Sequence, residues 1–398
     1  ERDRLLAIAR PALVVADWPD LAGIVTPADM AESERLDASP PDLDRVPRAT
    51  RLVASSGSTG SPKIIVGPSP GLFVMPEEMV GGLGGDAERV TLCASPLYHT
   101  NGQLSCFPPL LRGGLVVLME HFDAGRAVTL IERHGVTMTV LVPTMLQRIA
   151  RLDGVRDRDF SSLEQVIYGG ASLPEWAARV WLELVPPERF MFVYGGSERL
   201  GSTVCTGKEW LDHPGTVGRA AGCEIAILDR DQRPLPVGEV GEIWMRLDTD
   251  EPPFEYVGVP TPKPTRDGYR TFGDMGWLDP EGYLYIADRR QDMIVSGGVN
   301  VFPAEVEAAL SAHPHVADVV VVGLPDPEWG HRVHAIVQPV DPDRAPTGDD
   351  LRVFSKQRLA GPKVPKTFEM VASLPRTGAG KINRSRLAEE RAGGDAPH

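Results

Sequence analysis

The chain is 398 residues long and 42% hydrophobic, with 41 basic and 55 acidic residues for a formal net charge of −14. That length suits two or three domains and a real core, while so acidic a balance argues against non-specific nucleic-acid binding, which depends on neutralising phosphates. No stretch nears the roughly 18 unbroken apolar residues of a membrane helix, and the charged opening ERDRLLAIAR does not have the form of a secretory signal.

Residues 29–50 are rich in Asp, Pro and Ser and read as an exposed linker. The strand-like RLVA then leads into Ser55-Ser56-Gly57-Ser58-Thr59-Gly60-Ser61-Pro62-Lys63. Hydroxyls and glycines at this density make a loop whose amides can wrap phosphate oxygens, with Lys63 as a mobile cation. It is not a Walker loop, because the lysine follows proline and no helix-opening Ser or Thr comes after it. A flexible surface linker has the same composition.

Next come short β-branched runs separated by longer amphipathic stretches: GLVVLM (114–119), VTMTVLV (136–142), EQVIYGG (164–170) and RFMFVYGG (189–196). They predict buried parallel strands with crossover helices, and α/β sheets place ligands at such carboxyl-end loops. Tyr194-Gly195-Gly196-Ser197-Glu198 closes the last run, where a carboxylate can place a metal that bridges phosphates. A tight turn with Glu198 paired to Arg199 is the alternative.

From about residue 215, GCEIAILD, GEVGEIWMRL and GYLYIADR alternate with turn signals and predict an antiparallel region, a distorted β-barrel. Within it, Thr271-Phe272-Gly273-Asp274 offers a carboxylate able to accept hydrogen bonds from two ribose hydroxyls, or a plain Gly-Asp turn. After Arg289 the tail predicts a strand, a glycine loop at Gly297 and Gly298, a helix opening with Pro303, two strands and a helix from about Gly348. That is a small α+β domain. Lys381 follows two glycines, where it can swing into a site or stand exposed. Cys93, Cys106, Cys205 and Cys223 form no CxxC pair, which argues against a zinc cage or a disulfide framework and predicts a reducing, cytoplasmic setting.

In their order and spacing these segments resemble the adenylate-forming superfamily of acyl- and aryl-CoA ligases, luciferases and peptide-synthetase adenylation domains. Pro96-Leu97-Tyr98-His99, Val142-Pro-Thr-Met-Leu146, Tyr168-Gly-Gly-Ala-Ser-Leu-Pro174 and Leu324-Pro-Asp-Pro-Glu-Trp-Gly330 match as well, so the resemblance spans about residues 50 to 390. It implies an α/β fold with a large N-terminal AMP-binding region (1–290) and a small mobile α+β lid (291–398). It also implies ATP, Mg²⁺ and CoA as cofactors, and a carboxylic acid activated as acyl-AMP and then transferred to a thiol.

By the same resemblance, Ser55, Ser56, Gly57, Ser58, Thr59, Gly60 and Lys63 would hold the phosphates and Glu198 would place Mg²⁺. Lys381 would bridge the carboxylate and the α-phosphate. Gly170, Ala171 and Ser172 would border the adenine and acyl group, Tyr194 to Ser197 would contact the nucleotide, and Asp274 with Arg289 would hold the ribose. Gly297 and Gly298 would line the pantetheine tunnel. His99 matches the histidine that shapes the acyl pocket in CoA ligases and favours CoA over a carrier protein.

Two departures stand out. The hinge position, usually Asp or Lys, is Gln291, which a tolerant backbone accepts. The first motif also begins much earlier than in most members, so a shortened first subdomain is expected, with exposed apolar surface covered by a second copy or a partner subunit. Such a chain can retain both half-reactions, perform only thioester formation from supplied acyl-AMP, or serve as a non-catalytic nucleotide-binding partner. Details around Asp274, Arg289 and Gly297 resemble the branch that activates bile acids and steroid-type acids, implying a bulky polycyclic or terpenoid substrate.

Overall fold

The computed structural model describes residues 14–15, 24–25, 52–55, 63–67, 89–247, 254–257, 259–376 and 382–392. The chain divides into two compact units, one of residues 1–57, 61–74 and 251–261, the other of residues 58–60, 75–250 and 262–398. The predicted linker at 29–50 lies outside the described residues.

In the first unit β1 (Val14–Val15) pairs in parallel with β2 (Ile24–Val25). Strands β3 (Leu52–Ser55) and β4 (Lys63–Val66) form an antiparallel hairpin in which Ser55 opposes Lys63. Lys63 thus opens the return strand of this pair. A third strand, Glu255–Val257, pairs with β4 on its other edge, and Ile64 and Ile65 are buried.

The second unit opens with β5 (Val90–Cys93), α1 (Thr100–Leu111), β6 (Leu115–Leu118), α2 (Ala124–His134), β7 (Met138–Leu141), α3 (Pro143–Ala150), β8 (Gln165–Tyr168), α4 (Glu175–Leu184) and β9 (Phe190–Gly195). Strands β6, β7, β8 and β9 each lie within one of the four predicted runs, and β6-β5-β7-β8-β9 are parallel neighbours. Helix starts and stops follow local chemistry. Asp123 Oδ1 accepts the Arg126 amide ahead of α2, Gly135 ends that helix at φ 58°, and Pro143 opens α3. One face of the sheet packs α2, α3 and α4 around Trp181, Phe190 and Phe192, all essentially buried. Met138, Val140 and Ile167 are buried on the other face, which explains why these runs are mostly apolar on both sides.

Strands β10 (Ser202–Thr206), β11 (Thr216–Ala221), β12 (Cys223–Leu228), β13 (Gly241–Leu247), β15 (Arg270–Leu278) and β16 (Leu284–Arg289) follow, with α5 (Gly207–Asp212) after β10 and Glu255–Val257 counted as β14. They are antiparallel, as expected, but they correct the barrel expectation. β10 joins β9 and β11 joins β16, so the antiparallel strands extend the parallel sheet into one of eleven strands, with β12 and β6 at its edges. No pairing closes it among the described residues. Edge strand β6 leaves Leu115 and Leu118 exposed.

A separate five-stranded sheet begins four residues after β16. It contains β17 (Ile294–Ser296), β18 (Val299–Val301), β19 (Val316–Asp326), β20 (Gly330–Pro339) and β21 (Thr367–Met370). Helices α6 (Pro303–Ser311) and α7 (Gly348–Lys356) pack on the face carrying Val319, Val321, Val333 and Ala335. Helix α8 (Arg384–Ala392) sets Leu387 against Val320, Val322 and Ile336 on the other face. The predicted strand-to-helix step at 294–303 contains an extra strand, β18, and Gly297 and Gly298 are the two-residue turn between β17 and β18. Both have positive φ, 56° and 79°, the geometry of a type I′ hairpin turn.

Helix α6 is gripped at both ends. Asp288 Oδ2, on β16, accepts the Ala304 amide at 2.7 Å. Arg151, just past α3, donates to the Ser311 carbonyl at 3.1 Å and the Ala317 carbonyl at 2.7 Å, with its guanidinium 4.4 Å above the Trp176 ring.

Candidate active site

Three predicted loops meet at the carboxyl ends of β5, β8 and β9. His99 is the residue before α1, with its ring tilted against Tyr98 at 4.4 Å. Thr100 Oγ1 and Ser197 Oγ share a hydrogen bond of 2.8 Å, joining the His99 loop to the Tyr194–Glu198 loop. After β8, Tyr168 Oη donates to the Ala171 carbonyl at 2.6 Å and pins the turn carrying Gly170, Ala171 and Ser172, whose backbone is exposed. A Cβ on Gly170 would stand 3.9 Å from Asn101 Nδ2, so α1, the β8 loop and the β9 loop border one region.

The antiparallel half of the sheet supplies the ribose candidates. Asp274 on β15 stands directly opposite Arg289 on β16. Tyr194 Oη donates to Asp274 Oδ2 at 2.8 Å, and Arg289 Nε lies 3.4 Å from Asp274 Oδ1. Burial pushes the Asp274 carboxyl above its usual range, with Arg289 and Tyr194 pulling back and Glu198 adding to the rise. Burial, reinforced by Asp274, also holds the Tyr194 phenol well above its ordinary value, so it stays a donor. Tyr194 stacks edge-on against Phe272 at 5.9 Å. A Cβ on Gly196 would sit 2.5 Å from Phe272 and 2.9 Å from Glu198 Oε2, so only glycine allows the β9 loop to lie so close to β15.

This geometry fits a nucleoside. Asp274 keeps acceptor capacity beyond its Tyr194 bond, Arg289 is half exposed, and exposed glycine backbone lies alongside. Among the described residues no three His, Cys, Asp or Glu side chains cluster to cage a metal. A magnesium ion at Glu198 would therefore draw most of its ligands from phosphates and water, as that ion commonly does.

Other predicted residues fall elsewhere. Residues 56–60, the Lys63 side chain and Lys381 lie outside the described residues. Gln291 occupies the turn between β16 and β17, where the Asp292 amide bonds the Arg289 carbonyl at 3.0 Å. Gly297 donates its amide to the Trp329 carbonyl at 2.9 Å. Sequence reasoning missed Thr100 and Arg384. Arg384, three residues past Lys381, binds Asp292 at 3.1 Å and Glu307 at 2.8 Å. The Ile-Asn-Arg that follows Lys381 was its one visible signal.

Comparison with known proteins agrees with the geometry. Residues 23–249 match the AMP-binding enzyme family, and residues 305–381 match the AMP-binding enzyme C-terminal domain. The chain is 35% identical over 367 residues to a feruloyl-CoA synthase of an Amycolatopsis species, covering 91% of this chain and 74% of that one. It is also 35% identical over 370 residues to the fatty acid–[acyl-carrier-protein] ligase ScoC of Streptomyces coeruleorubidus, covering 90% and 70%. The o-succinylbenzoate CoA synthetase of Bacillus subtilis, in complex with the acyl-adenylate intermediate OSB-AMP, superposes with a TM-score of 0.81. Its identity to this chain is 28%, over 97% of this chain and 80% of that one. The fold and site define an adenylate-forming enzyme. The chain belongs to the AMP-binding enzyme family and is an acid–thiol ligase of the AMP-forming, acyl-CoA synthetase type.

Proposed function

We propose that this chain joins a ring-bearing carboxylic acid to ATP, releasing pyrophosphate, and passes the acyl group from acyl-AMP to the thiol of CoA. The observation that carries the reading is the convergence of the His99, Gly170 and Tyr194 loops beside the buried Asp274. Asp274 and Arg289 hold the ribose, and Gly170, Ala171 and Ser172 border the adenine and the acyl group, with His99 shaping the acyl pocket. By the family resemblance, the motif from Ser55 to Lys63 would take the β- and γ-phosphates, and Lys381 would bridge the two anions that must meet. Glu198 would hold Mg²⁺, which would supply charge neutralisation on the phosphates. Gln291 is the hinge of the lid that begins there, and Gly297 and Gly298 border the pantetheine arm.

The nature of the acid rests on two supports. Motif details near Asp274 and Gly297 resemble the branch for bile-acid and steroid-type acids. The relatives carry names for ferulate, o-succinylbenzoate and fatty acids. A ring that bears its carboxylate on a side chain satisfies most of these.

The test is thioester formation from ATP, Mg²⁺, CoA and, in turn, ferulate, 2-succinylbenzoate, cholate and dodecanoate. A parallel assay supplies the synthetic acyl-AMP in place of acid and ATP. Product in both assays is expected. Product only from acyl-AMP would remove the adenylation half, and preference for dodecanoate would overturn the ring-bearing acid. No product in either assay would sink the ligase reading. Lys381→Ala should abolish the first assay and spare the second.

A further inference from the structure

The turn that follows β9 is braced from two sides. The Arg199 amide donates to the Gly196 carbonyl at 3.0 Å, which puts Ser197 and Glu198 at the two middle positions of a tight turn. Arg199 follows at φ 55°, a left-handed conformation that few residues other than glycine adopt. On one side Gly196 lies against Phe272 of β15. On the other, Thr100 Oγ1 stands 2.8 Å from Ser197 Oγ, across 97 residues of sequence. Among the described residues neither hydroxyl has another hydrogen-bond partner.

Thr100 is the firmer member of this pair. It is the first residue of α1, and its branched Cβ leaves χ1 few rotamers. The start of that helix has little freedom. The His99 amide donates to the Pro96 carbonyl at 3.0 Å, the Gln103 amide donates to the His99 carbonyl at 3.0 Å, and Gly102 is pressed against Pro96. The Thr100 hydroxyl is therefore placed by the scaffold, while Ser197 sits on an exposed glycine-rich loop.

A serine hydroxyl has one hydrogen to give and lone pairs to receive others. If Ser197 directs its hydrogen at an oxygen of a bound nucleotide, its lone pair is free to accept from Thr100. The result is a chain from Thr100 through Ser197 to the nucleotide, in which each hydrogen bond polarises the next. We propose that Thr100 is a positioning residue for nucleotide binding: its hydroxyl holds Ser197 Oγ and turns the serine outward as a donor. The assignment rests on the ligase reading above. Thr100 acts through Ser197 and not on the acid, so its loss should weaken the hold on ATP and leave the acid alone.

The experiment compares the wild-type chain with Thr100→Val, Thr100→Ala, Thr100→Ser, Ser197→Ala and the double variant Thr100→Val/Ser197→Ala. Each is titrated calorimetrically with ATP in the presence of Mg²⁺, and assayed for ATP–pyrophosphate exchange at varied concentrations of the preferred acid of the panel above. Thr100→Val, which keeps the shape and removes the hydroxyl, should raise the Kd for ATP about five-fold, the scale of one neutral hydrogen bond, and leave the KM for the acid within about two-fold. Thr100→Ala should match it, and Thr100→Ser should bind ATP as the wild type does. In the Ser197→Ala background Thr100→Val should add nothing, because the two hydroxyls act as a unit. An unchanged Kd in both hydroxyl deletions, a Thr100→Ser variant as weak as Thr100→Val, an equal rise in the KM for the acid, or a Thr100→Val penalty that persists without Ser197 would each overturn the assignment. A wild-type chain that binds ATP yet forms no adenylate and no thioester would instead overturn the ligase reading, with the hydroxyl pair still decided by the titrations.

Discussion

Tyr194 donates its phenolic hydrogen to Asp274 across 80 residues of sequence, at 2.8 Å, and so occupies one lone pair of a carboxylate whose other oxygen faces Arg289. The carboxylate is thereby fixed in rotation, with its remaining acceptor sites presented together. Asp274→Asn keeps the shape and turns one acceptor oxygen into a donor. It should raise the KM for ATP in pyrophosphate exchange by about ten-fold or more, the scale of one hydrogen bond to a charged group. Tyr194→Phe removes a neutral donor only and should cost about five-fold in the same measurement.

Arg151→Ala leaves the Ser311 and Ala317 carbonyls without their donor and exposes the Trp176 face that the guanidinium covers. The expected loss is about 2–4 kcal/mol of unfolding free energy, measured by urea denaturation. Arg151→Lys restores a charge but not a planar fork that reaches two carbonyls, so it should recover less than half.

Asp288 gives the stability a sign-definite pH dependence. Burial pushes its carboxyl from 3.8 to about 6, against the pull of Arg384 and the Ala304 and Arg289 amides, with Glu307 adding to the rise. A folded pKa above the unfolded one means that the folded chain binds the extra proton. The stabilisation is therefore fully present below about pH 4 and lost as the pH rises through about 6. Asp288→Asn cannot titrate. Relative to wild type its unfolding free energy should improve between pH 4 and pH 7, by on the order of 2 kcal/mol. A difference that stays flat across that range would remove the titration from Asp288.

Gly102, buried in the first turn of α1, has no room for a side chain, since a Cβ would stand 2.2 Å from the Pro96 carbonyl oxygen. Gly102→Ala must push the helix away from the segment that carries Tyr98 and His99. Overpacking of this kind costs about 1–3 kcal/mol. The melting temperature should fall, and the KM for the acid should rise more than the KM for ATP.

Much of this was legible in the sequence. The runs ending at Leu141, Tyr168 and Gly195 are mostly apolar on both faces, with Thr139 and Gln165 as exceptions, because both faces of the sheet are covered, and that pattern belongs to parallel strands. The glycine-rich motifs beyond them marked the site loops. The barrel was misread because alternation shows that a strand has two different faces, not which strand closes upon which. The link that opens the sheet is β11, TVGRAA, whose small residues and irregular register at Thr216 and Gly218 carry no alternating signal. Asp274 and Tyr194 were each visible as candidates. Their hydrogen bond was not, because it depends on where β15 falls beside β9 through four intervening strand pairings. Arg151 had no local signal at all, since the carbonyls it binds, Ser311 and Ala317, lie far along the chain.

The double grip on α6 has a mechanical consequence. An acid holds the amide end and a base holds the carbonyl end, each of the sign that the helix dipole attracts. Two sockets at opposite ends of one rod resist tilting in a way that one socket cannot, because any rotation that slackens one contact swings the far end out of the other. A small sheet mounted on such a rod would have to leave both seats together. Angles partway between would lose both contacts before any new one forms, so the rod behaves as a catch with discrete stops rather than as a compliant spring.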